Sequence, residues 1–255
     1  MNGDDGEDGS AGGVVVELKP ENKGNSTQQT TFRAKHILLA TGGYPTIPAS
    51  SDGSIAKHAI SSDGFFELKS LPRKAVVVGA GYIAVELAGV LQALGTDTSL
   101  VVRKERALRN FDEVLCETLD DEMQRHGIHI FANTDGVDRI VEERASSSGG
   151  STAATTTKTV ILNNGERIEN VDVVIMAAGR SPSVESLNLK EVGVEQKARG
   201  GYVDVNEYSE TSVEGVYAVG DVTGNVELTP MGEYSDDVDT IFVFLTCFGT
   251  DMSLL

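Results

Sequence analysis

Lys74-Ala75-Val76-Val77-Val78-Gly79-Ala80-Gly81-Tyr82-Ile83-Ala84-Val85-Glu86 is the stretch that sets the fold. After Lys74, Ala75 to Val78 form an unbroken, β-branched-rich apolar run, and Lys74 to Val78 has the pattern of a strand buried on both faces. Gly79-Ala80-Gly81 then turns the chain. Tyr82 to Leu94 follows a helical spacing, with Ile83, Leu87, Val90, Leu91 and Leu94 on one face. Gly95 stands where a left-handed C-terminal cap belongs, and Thr98 to Val102 is the next strand. Strand, turn, helix and strand fit within about 30 residues, the size of one βαβ unit.

In that setting Gly79-x-Gly81-x-x-Ala84 reads as a dinucleotide-binding turn. Gly79 permits the tight turn, Gly81 lets backbone approach a pyrophosphate, and the small Ala84 lets helix and strand pack closely. The free N–H groups and positive dipole end of the helix, near Tyr82 and Ile83, then face the pyrophosphate. The alternative is a glycine turn in an α/β sheet with no ligand. The second strand runs into Arg103-Lys104-Glu105-Arg106, with Arg109 close behind. An acid at this place accepts a ribose 2′-hydroxyl and repels a 2′-phosphate, whereas cations hold the phosphate. Two charge-assisted hydrogen bonds at the low end of their range give about 3 kcal/mol, on the order of a hundredfold preference for NADPH. The alternative is a solvated basic turn.

Working outward, Val14 to Leu18 and Ile37 to Ala40 read as strands, separated by the polar, Pro20- and Gly24-containing segment Lys19 to Thr31. Ser61 to Leu68 reads as a short helix capped by Ser61 or Ser62. Asp112 caps a second helix that runs to His126 and stops at Gly127, before a strand at Ile128 to Ala132. Antiparallel strands are expected at Val137 to Glu142 and Thr159 to Leu162, around a low-complexity loop, Ser146 to Thr157. Asn164-Gly165 marks a hairpin, and Val171 to Ala177 a core strand ending at Ala178-Gly179-Arg180. Val203 to Val205 and Val216 to Val219 are two further strands, the second ending at Gly220-Asp221. Thr41-Gly42 and Gly220-Asp221 both close strands, where ligands bind in open α/β sheets, and Asp221 can accept from sugar hydroxyls.

The 255 residues carry 39 acidic and 21 basic side chains, a net charge of −18, which argues against nucleic acid or an anionic membrane as partner. Two cysteines, Cys116 and Cys247, make no disulfide framework and point to a reducing compartment. The longest apolar run, Ile241 to Leu245, is far short of a membrane span. Residues Met1 to Gly13 are acidic and Gly-rich, without the features of a signal peptide, and are expected to be a disordered tail. His126 and His129 straddle the expected helix end and are read as surface residues; no metal site is assigned.

Leu39-Ala40-Thr41-Gly42-Gly43, Ser62-Asp63-Gly64-Phe65-Phe66, Val78-Gly79-Ala80-Gly81-Tyr82-Ile83-Ala84-Val85-Glu86, Ala178-Gly179-Arg180 and Tyr217-Ala218-Val219-Gly220-Asp221-Val222 together resemble the glutathione reductases, within the pyridine nucleotide-disulfide oxidoreductases. The resemblance covers about Val14 to Pro230. It implies an α/β fold of nested Rossmann-like dinucleotide-binding domains, in which an NADPH domain at 57–178 is inserted in a partial FAD domain at 14–56 and 179–230. It implies that Tyr82 covers the flavin until nicotinamide displaces it and that Glu86 tunes the flavin side of the site. Arg103, Lys104 and Arg109 would hold the 2′-phosphate, Asp221 the ribityl chain of FAD, and Leu228 and Thr229 would lie near the isoalloxazine ring. Thr41, Gly42, Ala178, Gly179 and Arg180 belong to the same set of cofactor-binding positions. The implied reaction passes a hydride from NADPH to FAD, then to a cysteine pair, then to glutathione disulfide. The start without targeting features and the two lone cysteines point to the cytoplasm or, for a longer form, the mitochondrion.

Against that pattern, no glycine-rich FAD turn precedes Val14 and no two cysteines stand four residues apart. The His–Glu pair beside a proline, and the dimerisation domain that carries it in this homodimeric family, have no counterpart after Pro230, where residues 231–255 form an atypical tail. No catalytic residue is therefore assigned. Three readings stay open: a glutathione-disulfide reductase incomplete and inactive alone, a non-catalytic NADPH-binding module or partner of an intact subunit, and an inert fragment whose apolar tail favours aggregation.

Overall fold

The computed structural model describes residues 14–18, 30–144 and 156–225, whose elements divide between a unit of residues up to Tyr44 and from Ser181 onward, and a second unit, Pro45–Arg180. In the first, β1 (Val14–Leu18) pairs antiparallel with β2 (Thr30–Ala34), Val14 opposite Ala34. β3 (Ile37–Leu39) follows, and the chain leaves through β4 (Gly43–Pro45).

The second unit runs through α1 (Ser54–His58), β5 (Ile60–Ser61), α2 (Ser62–Phe65), β6 (Lys74–Val78), α3 (Tyr82–Ala93), β7 (Asp97–Val101), α4 (Glu113–Arg125) and β8 (His129–Phe131). It continues with β9 (Val137–Arg144), β10 (Thr156–Leu162), β11 (Arg167–Val171) and β12 (Val173–Met176). Five of its strands form one sheet in the order β5-β12-β6-β7-β8, every pair parallel. The other three form an antiparallel sheet, β11-β10-β9.

Strand alternation distributes the apolar run of β6 to both faces. Ala75 and Val77, with Leu100, Val102 and Ile175, pack against Ala84, Leu87, Ala88 and Leu91 of α3 and Met123 of α4. Val76 and Val78, with Val101, Val174 and Met176, pack against Ile140, Val160, Leu162, Ile168 and Val171 of the antiparallel sheet and Ile55 of α1. The parallel sheet is thus the middle layer of three, which is why β6 and β12 are apolar on both faces.

The chain re-enters the first unit through β13 (Arg180–Pro182), paired with β4, and continues with α5 (Leu189–Val192) and β14 (Val216–Ala218). β14 lies parallel to β3, Ala218 opposite Leu39, and a single 3-10 turn, Gly220–Thr223, follows. Leu189, Val194, Val203, Val216, Ala218 and Val222 form this unit's own apolar cluster.

Several expectations need correcting. The buried stripe of α3 is Ala84, Leu87, Ala88 and Leu91, whereas Val90 and Leu94 are 45% and 60% exposed. Two alanines let the helix approach the sheet closely, and that close approach selects the face. Val171 to Ala177 is not one strand: β11 ends at Val171 in the antiparallel sheet, Asp172 turns the chain, and β12 opens at Val173. Val203 makes only an isolated bridge with Gln196, so no strand spans Val203 to Val205. In the loop expected at Ser146 to Thr157, Thr156 and Thr157 already belong to β10; its earlier residues, the segment 19–29 and the acidic start lie outside the described residues. So do Leu228, Thr229, the tail 231–255 and Cys247.

Candidate functional site

The parallel sheet changes direction at β6. From there the chain builds β7 and β8 to one side and later returns to place β12 on the other. Ligands of open α/β sheets bind at such a switch point, beyond the C-terminal strand ends. The two ends that flank it are Gly79-Ala80-Gly81 after β6 and Ala177-Ala178-Gly179 after β12, joined by a hydrogen bond from Ala177 N–H to Val78 O at 2.8 Å.

The two glycines of the turn serve different needs. A Cβ on Gly79 would lie 2.2 Å from the carbonyl oxygen of Ala177 and 3.0 Å from Ala84 Cβ, so this position is closed by the protein itself. A Cβ on Gly81 would meet nothing within 4 Å. Gly81 is the N-cap of α3, and no side chain caps that helix. The turn therefore presents open space at a helix N-terminus, the form of cradle that backbone N–H groups offer a pyrophosphate. Tyr82 and Glu86 are exposed on the first turns of α3, and Ile83 is half-buried against the core.

Arg103, Lys104 and Arg109 lie on the segment that follows β7, all three exposed. Leu108 N–H donates to Ala80 O at 2.8 Å, so this basic segment is tied to the glycine turn. Among the described residues Arg103 and Arg109 have no ion-pair partner, while Lys104 Nζ lies 3.7 Å from Asp135 Oδ1. Arg106 turns to α4, where Glu117 Oε1 stands 3.3 Å away and raises the guanidinium pKa through that hydrogen bond. The basic stretch is thereby divided between Lys104 and Arg106, each paired with a carboxylate, and Arg103 and Arg109, which have no ion-pair partner among the described residues.

A second loop braces this segment from behind. Asn133, Thr134 and Asp135 donate their N–H groups to Lys104 O, Val102 O and Arg103 O at 2.9, 3.4 and 3.4 Å. The fully buried Thr134 hydroxyl donates to Val102 O at 3.1 Å and accepts from Gly136 N–H at 3.1 Å. The sequence reading did not single out these residues, although Asn133-Thr134-Asp135-Gly136 is rich in residue types that tolerate left-handed backbone. Asn133, Asp135 and Gly136 adopt φ of +55°, +54° and +98°.

Gly179 has φ +129°, and its carbonyl accepts from Thr46 N–H at 2.8 Å. Arg180 Nη1 stands 3.2 Å from Asp63 Oδ1 in the first turn of α2. Ser61 caps that helix by accepting from Gly64 N–H, so Ser61, not Ser62, is its cap. Asp63 belongs to a motif quoted from the sequence, but its pairing with Arg180, 117 residues away, left no local signal.

In the first unit, parallel pairing sets two strand ends side by side. Val219 N–H donates to Leu39 O at 3.1 Å, which brings Ala40-Thr41-Gly42 next to Gly220-Asp221. Gly42 and Gly220 have φ of +65° and +73°, and neither would meet an atom within 4 Å if it carried a Cβ. Asp221 is half-buried on the 3-10 turn. Cys116, on α4, is buried and unpaired, with its thiol toward Leu108 O at 3.2 Å. His126 and His129 are exposed, beside Glu122 and Asp97 respectively. Among the described residues, no group of three or more His, Cys, Asp and Glu side chains is placed to hold a metal ion. No described helix is long and apolar enough to cross a membrane.

Comparison with known proteins agrees with this geometry. The chain is 39% identical over 218 residues to the glutathione reductase of Schizosaccharomyces pombe, covering 86% of this chain and 43% of that one. With the glutathione reductase of Yarrowia lipolytica it shares 38% identity over 200 residues, 78% and 40% of the two chains. The chain thus spans about two fifths of the length of these relatives. Among solved structures, the fold is similar to that of the HOCl-induced flavoprotein disulfide reductase RclA from Escherichia coli, with TM-score 0.69 and 23% identity, covering 87% of this chain and 47% of that one. The family profile described as pyridine nucleotide-disulphide oxidoreductase matches residues 10–235, nearly the whole chain. With its glycine turn at the switch point of a parallel sheet, this chain belongs to the pyridine nucleotide-disulphide oxidoreductases.

Proposed function

We propose that this chain binds NADPH through the unit Pro45–Arg180 and serves glutathione-disulfide reduction, its flanking residues belonging to the FAD-binding part. The open space at Gly81, tied through Ala80 and Leu108 to a segment bearing two uncommitted arginines, carries this reading. The pyrophosphate rests on the α3 N-terminus over Gly79-Ala80-Gly81. Arg103 and Arg109 take the 2′-phosphate, and Ala178 and Gly179 border the same crevice. NADPH supplies the hydride when bound. Tyr82 and Glu86 face the nicotinamide side, and Arg180 is held by Asp63 at the end of the same strand system.

The residues of the first unit fit a second dinucleotide in part. Thr41, Gly42 and Gly220 leave room for close backbone approach, and Asp221 offers a carboxylate to sugar hydroxyls. FAD is the cofactor that family membership suggests for them, and glutathione disulfide the substrate. A reducing compartment, cytoplasmic or, for a longer form, mitochondrial, goes with that substrate.

Titration of the purified chain with NADPH and with NADH, followed by fluorescence quenching or calorimetry, tests the coenzyme assignment. The chain is expected to prefer NADPH, and Arg103→Gln or Arg109→Gln to weaken NADPH by about tenfold to a hundredfold each while leaving NADH unchanged. Equal affinities for the two coenzymes in the unaltered chain refute it. The self-contained core of Pro45–Arg180 favours a second reading, a non-catalytic NADPH-binding module. Flavin absorbance separates the two: a yellow chain that oxidises NADPH is an enzyme, and a colourless chain that binds NADPH is the module.

A further inference from the structure

Lys104 stands in the basic segment but is not available in the way Arg103 and Arg109 are. Its ammonium group lies 3.7 Å from Asp135 Oδ1, although both side chains are mostly exposed. Backbone contacts make this pairing a built feature. Asp135 N–H donates to Arg103 O and Asn133 N–H to Lys104 O, so the acidic loop is laced directly onto the basic segment. The loop is anchored in turn from the β10–β11 hairpin. Asn163 N–H donates to Gly136 O at 3.0 Å, and Asn163 Nδ2 donates to Asp135 O at 3.0 Å. Asp135 holds φ +54°, a conformation few residues accept and Asn accepts readily. Gly136 completes the arrangement, because the stem of Arg103 passes over it: a Cβ there would lie 3.5 Å from Arg103 Cγ.

We propose that Asp135 is a specificity-tuning residue of the 2′-phosphate site, occupying Lys104 in an internal ion pair with which the phosphate must compete. The proposal rests on the NADPH reading of the site. A carboxylate paired with one cation of the basic segment does two things. It screens the Lys104 charge from an incoming 2′-phosphate, and it keeps that ammonium group engaged before the coenzyme arrives. Both effects weaken NADPH and leave NADH, which lacks the phosphate, untouched. Discrimination then rests on Arg103 and Arg109, and the affinity is held below the maximum the three cations would give. In a chain of net charge −18, an acid fixed among the few grouped cations is a moderator of the local field.

The variant Asp135→Asn keeps the left-handed backbone and removes the charge. An exposed ion pair is worth up to about 1 kcal/mol, so NADPH and the probe adenosine 2′,5′-bisphosphate should bind up to about fivefold tighter, with NADH unchanged. The gain should disappear when Lys104→Gln is added, and should shrink as salt is raised. Unchanged or weakened NADPH binding by Asp135→Asn, in a chain that prefers NADPH to NADH, overturns the proposal alone. A gain that survives Lys104→Gln also overturns it, since the carboxylate would then act without the lysine. Absence of any NADPH preference in the unaltered chain instead removes the coenzyme reading on which the proposal stands. Circular dichroism and thermal unfolding of each variant identify any change that comes from misfolding, and the tightening expected for Asp135→Asn is not an effect misfolding produces.

Discussion

Two glycines in one turn, two positions apart, answer to different masters. Gly79 is required by the neighbouring strand, since any side chain would collide with the Ala177 carbonyl. Gly81 faces open space, and no described neighbour requires it to lack a side chain; the proposed pyrophosphate would. Gly79→Ala should therefore destabilise the protein by about 3 kcal/mol or more, read as a lowered midpoint in denaturant, because the clash is with backbone and cannot relax as a side chain would. Gly81→Ala should leave that midpoint within about 1 kcal/mol, since its φ of −88° suits alanine. It should instead weaken NADPH at least about tenfold in a direct titration. Equal stability losses in the two variants would refute the division of roles. The glycines were legible in sequence because a tight turn is local. Their different roles were legible too, but the contact that closes Gly79 was not, because it is made by Ala177, almost a hundred residues on.

The elements that could be read in advance are those whose signals are local. Asp112 accepts from Val114 N–H and caps α4, and Gly95 and Gly127 follow their helices at φ +94° and +90°. The elements missed are short or defined by distant partners. α1 has five residues behind the left-handed Gly53, and β5 has two, made a strand only by pairing Ile60 with Ile175. Asp172 is the clearest case of a long-range fastening. Its carboxylate accepts from Arg73 N–H and Lys74 N–H at 2.8 and 3.1 Å, and from the Arg73 guanidinium at 3.0 Å. It thereby fixes the start of β6 to the β11–β12 corner. Partial burial opposes ionisation, but these hydrogen bonds together hold the pKa below its ordinary 3.8. A carboxyl depressed on folding stabilises fully above its unfolded pKa, and that stabilisation is lost as pH falls through the folded value. Asp172→Asn should cost about 1–3 kcal/mol at neutral pH and flatten the loss of stability below pH 4, measured by denaturant titration across pH. An unchanged acid profile would show that other carboxylates govern it.

At the scale of the whole molecule, the proposed anionic coenzymes would meet a chain of net charge −18, so their recognition would fall to a few grouped cations and to backbone N–H groups. The order of dinucleotide motifs revealed the class of fold, and short strands, not linkers, carry the chain between the units that divide at Tyr44 and Arg180. The burial of Cys116 offers a further use. Its sulfur sits beneath the Leu108 carbonyl, and the Leu108 amide reaches Ala80 in the glycine turn. An alkylating reagent can reach that thiol only when the packing there breathes. In a Cys247→Ser chain, the rate of thiol alkylation is then a clock for local opening of the basic segment after β7; if that segment holds the 2′-phosphate as proposed, the rate should slow on adding NADPH and be indifferent to NADH at equal concentration. Equal slowing by both nucleotides would mean that the clock reads the pyrophosphate turn alone.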